Sequence, residues 1–352
     1  MACSAASRFS ESENISTAQD TAPQIAAANP AAAKSLLSVP TIASLVSLAL
    51  LIVVPMFLKN FYVFQFTIIM SYAIAILSLN ILTGASGQFS LGHSAFFAVG
   101  AYAAGILMEH ANLPYVIAIP VAGLICFVVG FLFGFPALRL KGVYLALATF
   151  ALAVAAPPLF KLGTFEHWTG GVQGLLITKP DAPFGIPLSQ DRFVYYLTLT
   201  IALIIYVLSV NLLNSRSGRA LMAIRDNEIA ASSMGVDLAL YKTLAFGISA
   251  GFTGIAGSLS AIAVAYVAPD AYTVNFAIAL FLGMVIGGVG WLPGSLFGAA
   301  FIVLVPNVAE HVSKGLSGAV FGVFIIAVIF LLPNGARQLV YYVYAQVKKL
   351  AR

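Results

Sequence analysis

The chain has 352 residues, of which 61% are hydrophobic and 8% are charged, and its mean hydropathy is +1.00. Soluble globular domains typically contain about 25% charged residues, so this composition excludes a soluble protein and indicates a polytopic membrane protein. The net charge of +5 does not indicate a nucleic-acid partner, because the basic residues lie between apolar runs and form no continuous patch.

Residues 1–36 are rich in Ala and Ser and contain no apolar core long enough for a signal peptide, so we interpret them as a disordered cytoplasmic tail. Ten apolar segments follow, and most reach or approach the ~20 residues that a helix needs to cross a bilayer. The segments are at about 41–58, 62–83, 93–109, 114–138, 142–160, 193–213, 243–268, 275–290, 291–309 and 316–333. The predicted fold is therefore all-α, a membrane helix bundle of about ten transmembrane helices.

The segments 93–109 and 275–290 are short and adjoin glycine-rich turns, so we expect broken or partly re-entrant helices there.

The lysines and arginines indicate the orientation of the chain in the membrane. If the N-terminal tail is inside, 12 of the 17 Lys and Arg residues fall in inside segments and 5 fall outside. Because cytoplasmic loops carry an excess of these residues, both termini are predicted to be cytoplasmic. The transmembrane domain is predicted to span 37–340, followed by a basic cytoplasmic C-terminus at 341–352 that suits an anionic leaflet.

The segment 214–242 is charged, lies between two apolar runs and is predicted to be on the cytoplasmic side. We expect one short amphipathic helix here, with Ser217 as its N-cap and Gly235 as its end. Arg225 and Glu228 share a face and are close enough to form an ion pair. An apolar stripe in water needs a cover, which is either a soluble partner or the lipid surface. The stripe consists of Ala220, Leu221, Ala223, Ile224, Ala231 and Met234.

The stretch 82–94 joins the second and third segments and contains three glycines, several small polar side chains and no charge before His93. Irregular backbone at membrane depth is tolerated only when it is buried in protein or lines an aqueous cavity, which makes this stretch a candidate for a translocation path. A hydrogen-bonded packing role for His93 is the alternative. The candidate path residues are Ser86, Gln88, Ser90, His93 and Ser94.

The outside loop 161–192 contains a tryptophan followed by a glycine turn. Trp168 suits either contact with an external partner or a packing and interfacial role, and Gly170 with Gly171 suits a tight turn. Farther along, the glycines at 247, 251, 254 and 257 predict close helix packing.

The motifs that the sequence lacks bear on its function. It contains no P-loop, no HExxH, no clustered Cys and His and no nucleophile elbow, so we expect no catalytic residue, no metal site and no cofactor in this chain. The acidic residues fall in loops or tails rather than within spans, which disfavours a proton-coupled carrier and leaves sodium coupling open.

The run EIAASSMG at 228–235 resembles the EAA loop by which permease subunits of ABC importers contact their ATPases. Together with RALMAIRDNEIAASSMGV, GQFSLGHSAFFAVGAY and WTGGVQG, it makes the chain similar to the branched-chain amino acid permeases of the LivM family from about Leu82 to Gly335. The chain departs from the general EAA pattern in that Ile229 stands where the glutamate would be and Glu228 lies one residue earlier.

This resemblance implies a permease in the bacterial inner membrane that moves branched-chain amino acids, or small amides or acids. Its implied partners are a second similar permease, two ATPase subunits that bind ATP, and a periplasmic substrate-binding protein, besides membrane lipid. The alternative is a secondary transporter or channel for a small neutral solute. The ATPase-coupling residues would be Arg225, Glu228, Ala230, Ala231 and Gly235, and the binding protein would dock on Trp168, Thr169, Gly170 and Gly171.

The predicted topology can be tested with one cysteine in the segment 214–242. After Cys3 and Cys126 are removed, a Ser217→Cys variant should resist an impermeant thiol reagent in intact cells, because this segment is predicted to face the cytoplasm. The reagent should react after the membrane is made permeable. Labelling in intact cells would show that the segment faces outward.

Overall fold

A computed structural model describes residues 49, 51–138, 140, 142–182, 188–312, 317–331 and 335–338. The predicted cytoplasmic tail at 1–36 and the basic C-terminus at 341–352 lie outside these residues. Ile52–Arg352 forms one compact unit, to which the following description applies.

The described residues form mainly helices. These are α1 (Asn60–Asn80), α2 (His93–Glu109), α3 (Tyr115–Ala137), α4 (Val143–Phe160), α5 (Glu166–Thr169), α6 (Gln190–Asn214), α7 (Arg216–Asp226), α8 (Glu228–Ser233), α9 (Leu238–Val264), α10 (Val274–Gly287), α11 (Gly294–Val312) and α12 (Ser317–Leu331). A π-helical turn, Ile81–Ala85, extends α1, and a 3₁₀ turn, Pro269–Tyr272, precedes α10. Strands β1 (Leu175–Leu176) and β2 (Tyr266–Val267) pair antiparallel.

Five of the described helices are long and apolar enough to cross a membrane: α1 with its π turn, α3, α4, α6 and α9. The predicted all-helical, polytopic membrane fold is therefore confirmed, while the number of ten spans stays a prediction. The two segments predicted to be short form α2 and α10, of 17 and 14 residues. Some acidic residues predicted to lie in loops are instead in the terminal turns of helices: Glu109, Asp191 and Glu310.

The helix ends form two opposite faces. On one face, Arg225 contacts the carbonyl of Gly84, and Gln88 contacts that of Lys242. The opposite end of α9 leads into β2, which pairs with β1, and at the end of α4 Lys161 pairs with Asp270. We call the face that contains 214–242 the inner face and the opposite one the outer face, following the predicted orientation.

Helix α9 lies at the centre of the bundle and packs against α1, α2 and α3. Its glycines allow close approach, as predicted. A Cβ atom on Gly257 would collide with the carbonyl oxygen of Phe97, and one on Gly254 would collide with the side chain of Cys126. The backbones of α9 and α2 are therefore in direct contact where the helices cross. Because lipid provides no hydrophobic driving force between helices, van der Waals packing at this contact holds them together.

This packing predicts opposite effects of the same substitution at two helical glycines. Gly257→Ala should destabilise the protein by about 1–3 kcal/mol, because the new methyl group overlaps the fixed backbone of α2. Gly322→Ala in α12 is the control, since no atom of the described residues outside its own helix turn lies within 4 Å of the added Cβ and alanine favours helix by about 1 kcal/mol. Thermal unfolding in one detergent compares the two, and equal stabilities would contradict the close α2–α9 contact.

Candidate functional site

The segment 214–242 forms two short helices, so the prediction of one continuous helix is wrong. Asn227 interrupts the helix with an extended backbone, φ −159°, and its Oδ1 accepts hydrogen bonds from the amides of Ile229 and Ala230 at 3.0 and 3.1 Å. By capping a new helix, Asn227 accepts hydrogen bonds from backbone amides that would otherwise need carbonyl acceptors in a preceding helical turn. The first helix is capped by Ser215, whose Oγ accepts from the Gly218 amide, and not by Ser217.

The end of the segment agrees with the prediction. Gly235 has φ +83°, the left-handed conformation that glycine adopts after a helix. The interruption at Asn227 also changes the ion pairs. Arg225 pairs with Asp226 at 2.9 Å, and Glu228 pairs with Lys242 at 2.6 Å, so the structure gives the two predicted partners other counterions.

Half of the predicted apolar stripe packs against the rest of the same chain, whereas Ala223 and Met234 are exposed. Leu221, Ile224 and Ala231 are buried, and Leu221 joins a cluster that includes Phe96 and Phe246. The exposed apolar side chains of the segment are different ones: Ile229 and Met234 are 80% and 85% exposed. The prediction that Met234 continues one stripe with Leu221, Ile224 and Ala231 is therefore wrong, because α8 starts anew after Asn227. Of the predicted coupling residues, Ala230 and Gly235 are exposed, whereas Ala231 is not.

Arg225 connects this segment to the glycine-rich stretch 84–92. Its Nη1 donates to the carbonyl oxygen of Gly84 at 2.8 Å. Its Cγ would lie 3.0 Å from a Cβ atom on Gly87, which has φ +72°. A second connection runs from Gln88, whose Nε2 donates to the carbonyl of Lys242 at 3.3 Å and to Ser86 Oγ at 3.1 Å. The segment thus holds both ends of the short stretch from Gly84 to Gln88.

Asn80 joins this stretch to the turn 288–293 between α10 and α11. Its Nδ2 donates to the carbonyls of Gly288 and Trp291 at 3.3 and 3.2 Å, and its Oδ1 accepts from the Gly290 amide at 2.6 Å. The two glycine-rich turns also touch, since a Cβ atom on Gly84 would lie 2.8 Å from Gly290 Cα. Sequence reasoning missed Asn80, although a lone amide within an apolar span is a signal for such a role.

The five candidate path residues are all buried. His93 Nε2 lies 2.7 Å from Ser249 Oγ, and Ser249 donates to the Ser78 carbonyl at 2.6 Å. Ser249 therefore accepts from His93, so Nε2 of the ring carries a hydrogen. The other ring nitrogen, Nδ1, lies 3.1 Å from Ser90 Oγ. Ser94 Oγ has no hydrogen-bond partner among the described residues.

On the outer face, the loop glycines form a turn as predicted. Gly170 and Gly171 have φ +71° and +57°, and Thr169 is buried with its hydroxyl 2.8 Å from the Phe160 carbonyl. Of the four predicted docking residues, Trp168 presents the largest exposed side chain, at 49%. Its ring lies 5.5 Å from that of His110. No cluster of metal-ligating side chains occurs in the described part of the chain.

Comparison with known proteins identifies the family. Residues 61–332 match the family model described as branched-chain amino acid transport system / permease component. The high-affinity branched-chain amino acid transport system permease protein LivM of Escherichia coli is 30% identical over 300 residues, covering 78% of this chain and 70% of the relative, and the Salmonella typhimurium protein of that name gives the same values. A probable branched-chain amino acid transport permease protein LivM from Methanocaldococcus jannaschii is 25% identical over 313 residues, covering 75% and 89%.

No solved structure matches this chain. The family match covers the described spans, the glycine-rich stretch 84–92 and the segment 214–242, which we call the inner segment. This multi-pass membrane protein therefore belongs to the LivM-type family of branched-chain amino acid transport permeases.

Proposed function

We propose that this chain is the membrane-spanning permease of an ABC importer that brings branched-chain or related amino acids across the bacterial inner membrane. The family is a transport component and not an enzyme class. ATP would be bound by separate ATPase subunits. A second homologous permease and a periplasmic substrate-binding protein would complete the complex. The family and the names of its relatives support this assignment.

The contact between Arg225 and the glycine-rich stretch is the observation that supports the proposed coupling between ATPase closure and movement of the membrane helices. ATP-driven closure of the ATPases would push on α7 and α8. Arg225 would pass that displacement to the Gly84 carbonyl, and Asn80 would pass it on to the turn 288–293. Packed interfaces respond to such a push by switching between discrete arrangements, which accounts for outward- and inward-open states.

The ATPase would contact the exposed side of α8. Ile229 and Met234 are large apolar side chains in a segment that is otherwise rich in small and charged residues. An exposed apolar patch beside charged residues is typical of a protein contact. The Glu228–Lys242 pair, in which the lysine side chain is only 11% exposed, would hold α8 against α9 while the ATPase pushes.

We further propose that Ser86, Gln88, Ser90, His93 and Ser94 reach the translocation path when the glycine-rich stretch moves. In the described conformation all five side chains are buried in the protein. Gln88 is tied directly to Lys242, so movement of the inner segment would displace it first. The binding protein would dock on the outer face at Trp168, where the buried Thr169 and the left-handed Gly170 and Gly171 hold the turn.

The first test concerns the docking face. Met234→Asp should abolish ATPase co-purification while the permease still inserts and folds, because this side chain is exposed and contributes nothing to permease packing. Val172→Asp is the matched control, since Val172 is also an exposed apolar residue, at 68%, but lies on the outer face. Normal ATPase association of Met234→Asp would place the contact elsewhere.

The second test concerns transmission through Arg225. Lysine has one compact charge and cannot bond both the Gly84 carbonyl and Asp226 as the guanidinium fork does. Arg225→Lys should therefore lower ATP-driven leucine uptake in liposomes about tenfold, the effect of losing one charge-assisted hydrogen bond. ATPase association should be kept. Arg219→Lys is the control, because the Arg219 side chain bonds the nearby Asn214 carbonyl and no other group among the described residues. Equal uptake by both variants would refute the transmission step.

A further inference from the structure

The outer face contains a cleft of about 390 Å³ between the carboxyl end of α4, the 3₁₀ turn 269–272 and the amino end of α10. Its volume falls in the range of roughly 300–1,000 Å³ that is typical of small-molecule sites. Its wall carries both charge signs, since Lys161 Nζ lies 2.6 Å from Asp270 Oδ1. The rest of the wall is largely apolar and includes Val154, Pro158 and Val274.

The carboxyl end of α4 forms one wall of this cleft. Pro157 and Pro158 lie inside α4, close to its last residue, and both line the cleft together with Ala153 and Val154. Lys161 directly follows the helix, where the negative end of the helix dipole favours a positively charged group.

The Lys161–Asp270 pair already shows how the cleft accommodates an ammonium group. The two side chains are 31% and 67% exposed, so the pair is partly solvated. Such pairs contribute little to stability and exchange readily with other ions. A molecule that carries both an ammonium and a carboxylate group can pair with both side chains at once, so neither charge is left unpaired.

We propose that this cleft binds zwitterionic α-amino acids with small aliphatic side chains, an inference that rests on the proposed import of amino acids. The substrate ammonium takes the position beside Asp270 that the Lys161 ammonium now occupies. Lys161 then pairs with the substrate carboxylate. The aliphatic side chain packs on Val154, Pro158 and Val274. The cleft is thus an entry site on the outer face, and its apolar wall selects the class of side chain.

Binding by the full-length permease alone tests this site without the binding protein. Saturation-transfer NMR on the chain in lipid nanodiscs would compare L-leucine with leucinamide, which lacks the carboxylate, and with 4-methylpentanoate, which lacks the ammonium. We expect each analogue to bind about tenfold or more weakly than leucine, because each loses one charge-assisted contact. No leucine binding to the wild-type chain would overturn the proposal.

Two variants separate recognition from mere structural support. Lys161→Met should remove the preference for leucine over leucinamide and keep the preference over 4-methylpentanoate, and Asp270→Asn should do the reverse. Lys179→Met is the control, because Lys179 forms a similar pair with Asp191 on the outer side, at 2.8 Å, and should change neither ratio. A general structural defect would weaken all three ligands together and would overturn the site.

Uptake by the assembled complex distinguishes this site from the proposed function. If the complex imports leucine while both variants keep wild-type ligand ratios, the cleft is not a substrate site and the import function stands. If the wild-type complex imports no amino acid although the chain binds leucine with the expected ratios, the import function fails and the binding site stands.

Discussion

The satisfaction of buried backbone polar groups is the constraint on which this structure depends. Between α1 and α2 the chain leaves the helical conformation, and amides and carbonyls that are buried there need partners other than the preceding helical turn. Side chains supply the partners instead. Arg225 bonds the Gly84 carbonyl, Thr83 bonds the Gln88 carbonyl at 3.1 Å, and Thr149 accepts from the Leu91 amide at 3.0 Å. The irregular stretch is thus held by one local side chain, Thr83, and by two other regions of the chain, the segment 214–242 and α4.

These attachments join the segment 214–242 to the core through directional contacts. A purely apolar contact between α7 and the bundle could slide, since dispersion contacts have little directionality. The hydrogen bonds of Arg225 and Gln88 fix both distance and direction, and Asn80 extends the fixed region to the turn after α10. His93 has a comparable role at the start of α2, where its bond to Ser249 joins α2 to α9 and, through the Ser78 carbonyl, to α1.

The sequence predicted the features that follow from local patterns. The apolar segment at 93–109 coincides with α2, and the glycine pair at 170–171 forms the expected left-handed turn. Local patterns could not reveal which face of 214–242 is buried, because the reset at Asn227 depends on a side-chain cap that competes with a continuous helix. Nor could they reveal that Asn80 binds a turn more than 200 residues later, since that contact exists only after the spans assemble.

The positions of rigid and adjustable contacts suggest how the two faces differ in function. Around α9, glycines bring backbones together at Gly254 and Gly257, where even a methyl group does not fit. Such contacts cannot deform gradually, so the core of α1, α2, α3 and α9 is expected to move as a block. On the inner face, the directional hydrogen bonds of Arg225 and Gln88 attach the segment 214–242 to this block. On the outer face, the Lys161–Asp270 pair stays partly solvated, with Asp270 67% exposed, and such a pair breaks and reforms at little cost. In the proposed mechanism, the inner face would therefore transmit a displacement to the block, and the outer face would exchange charged partners.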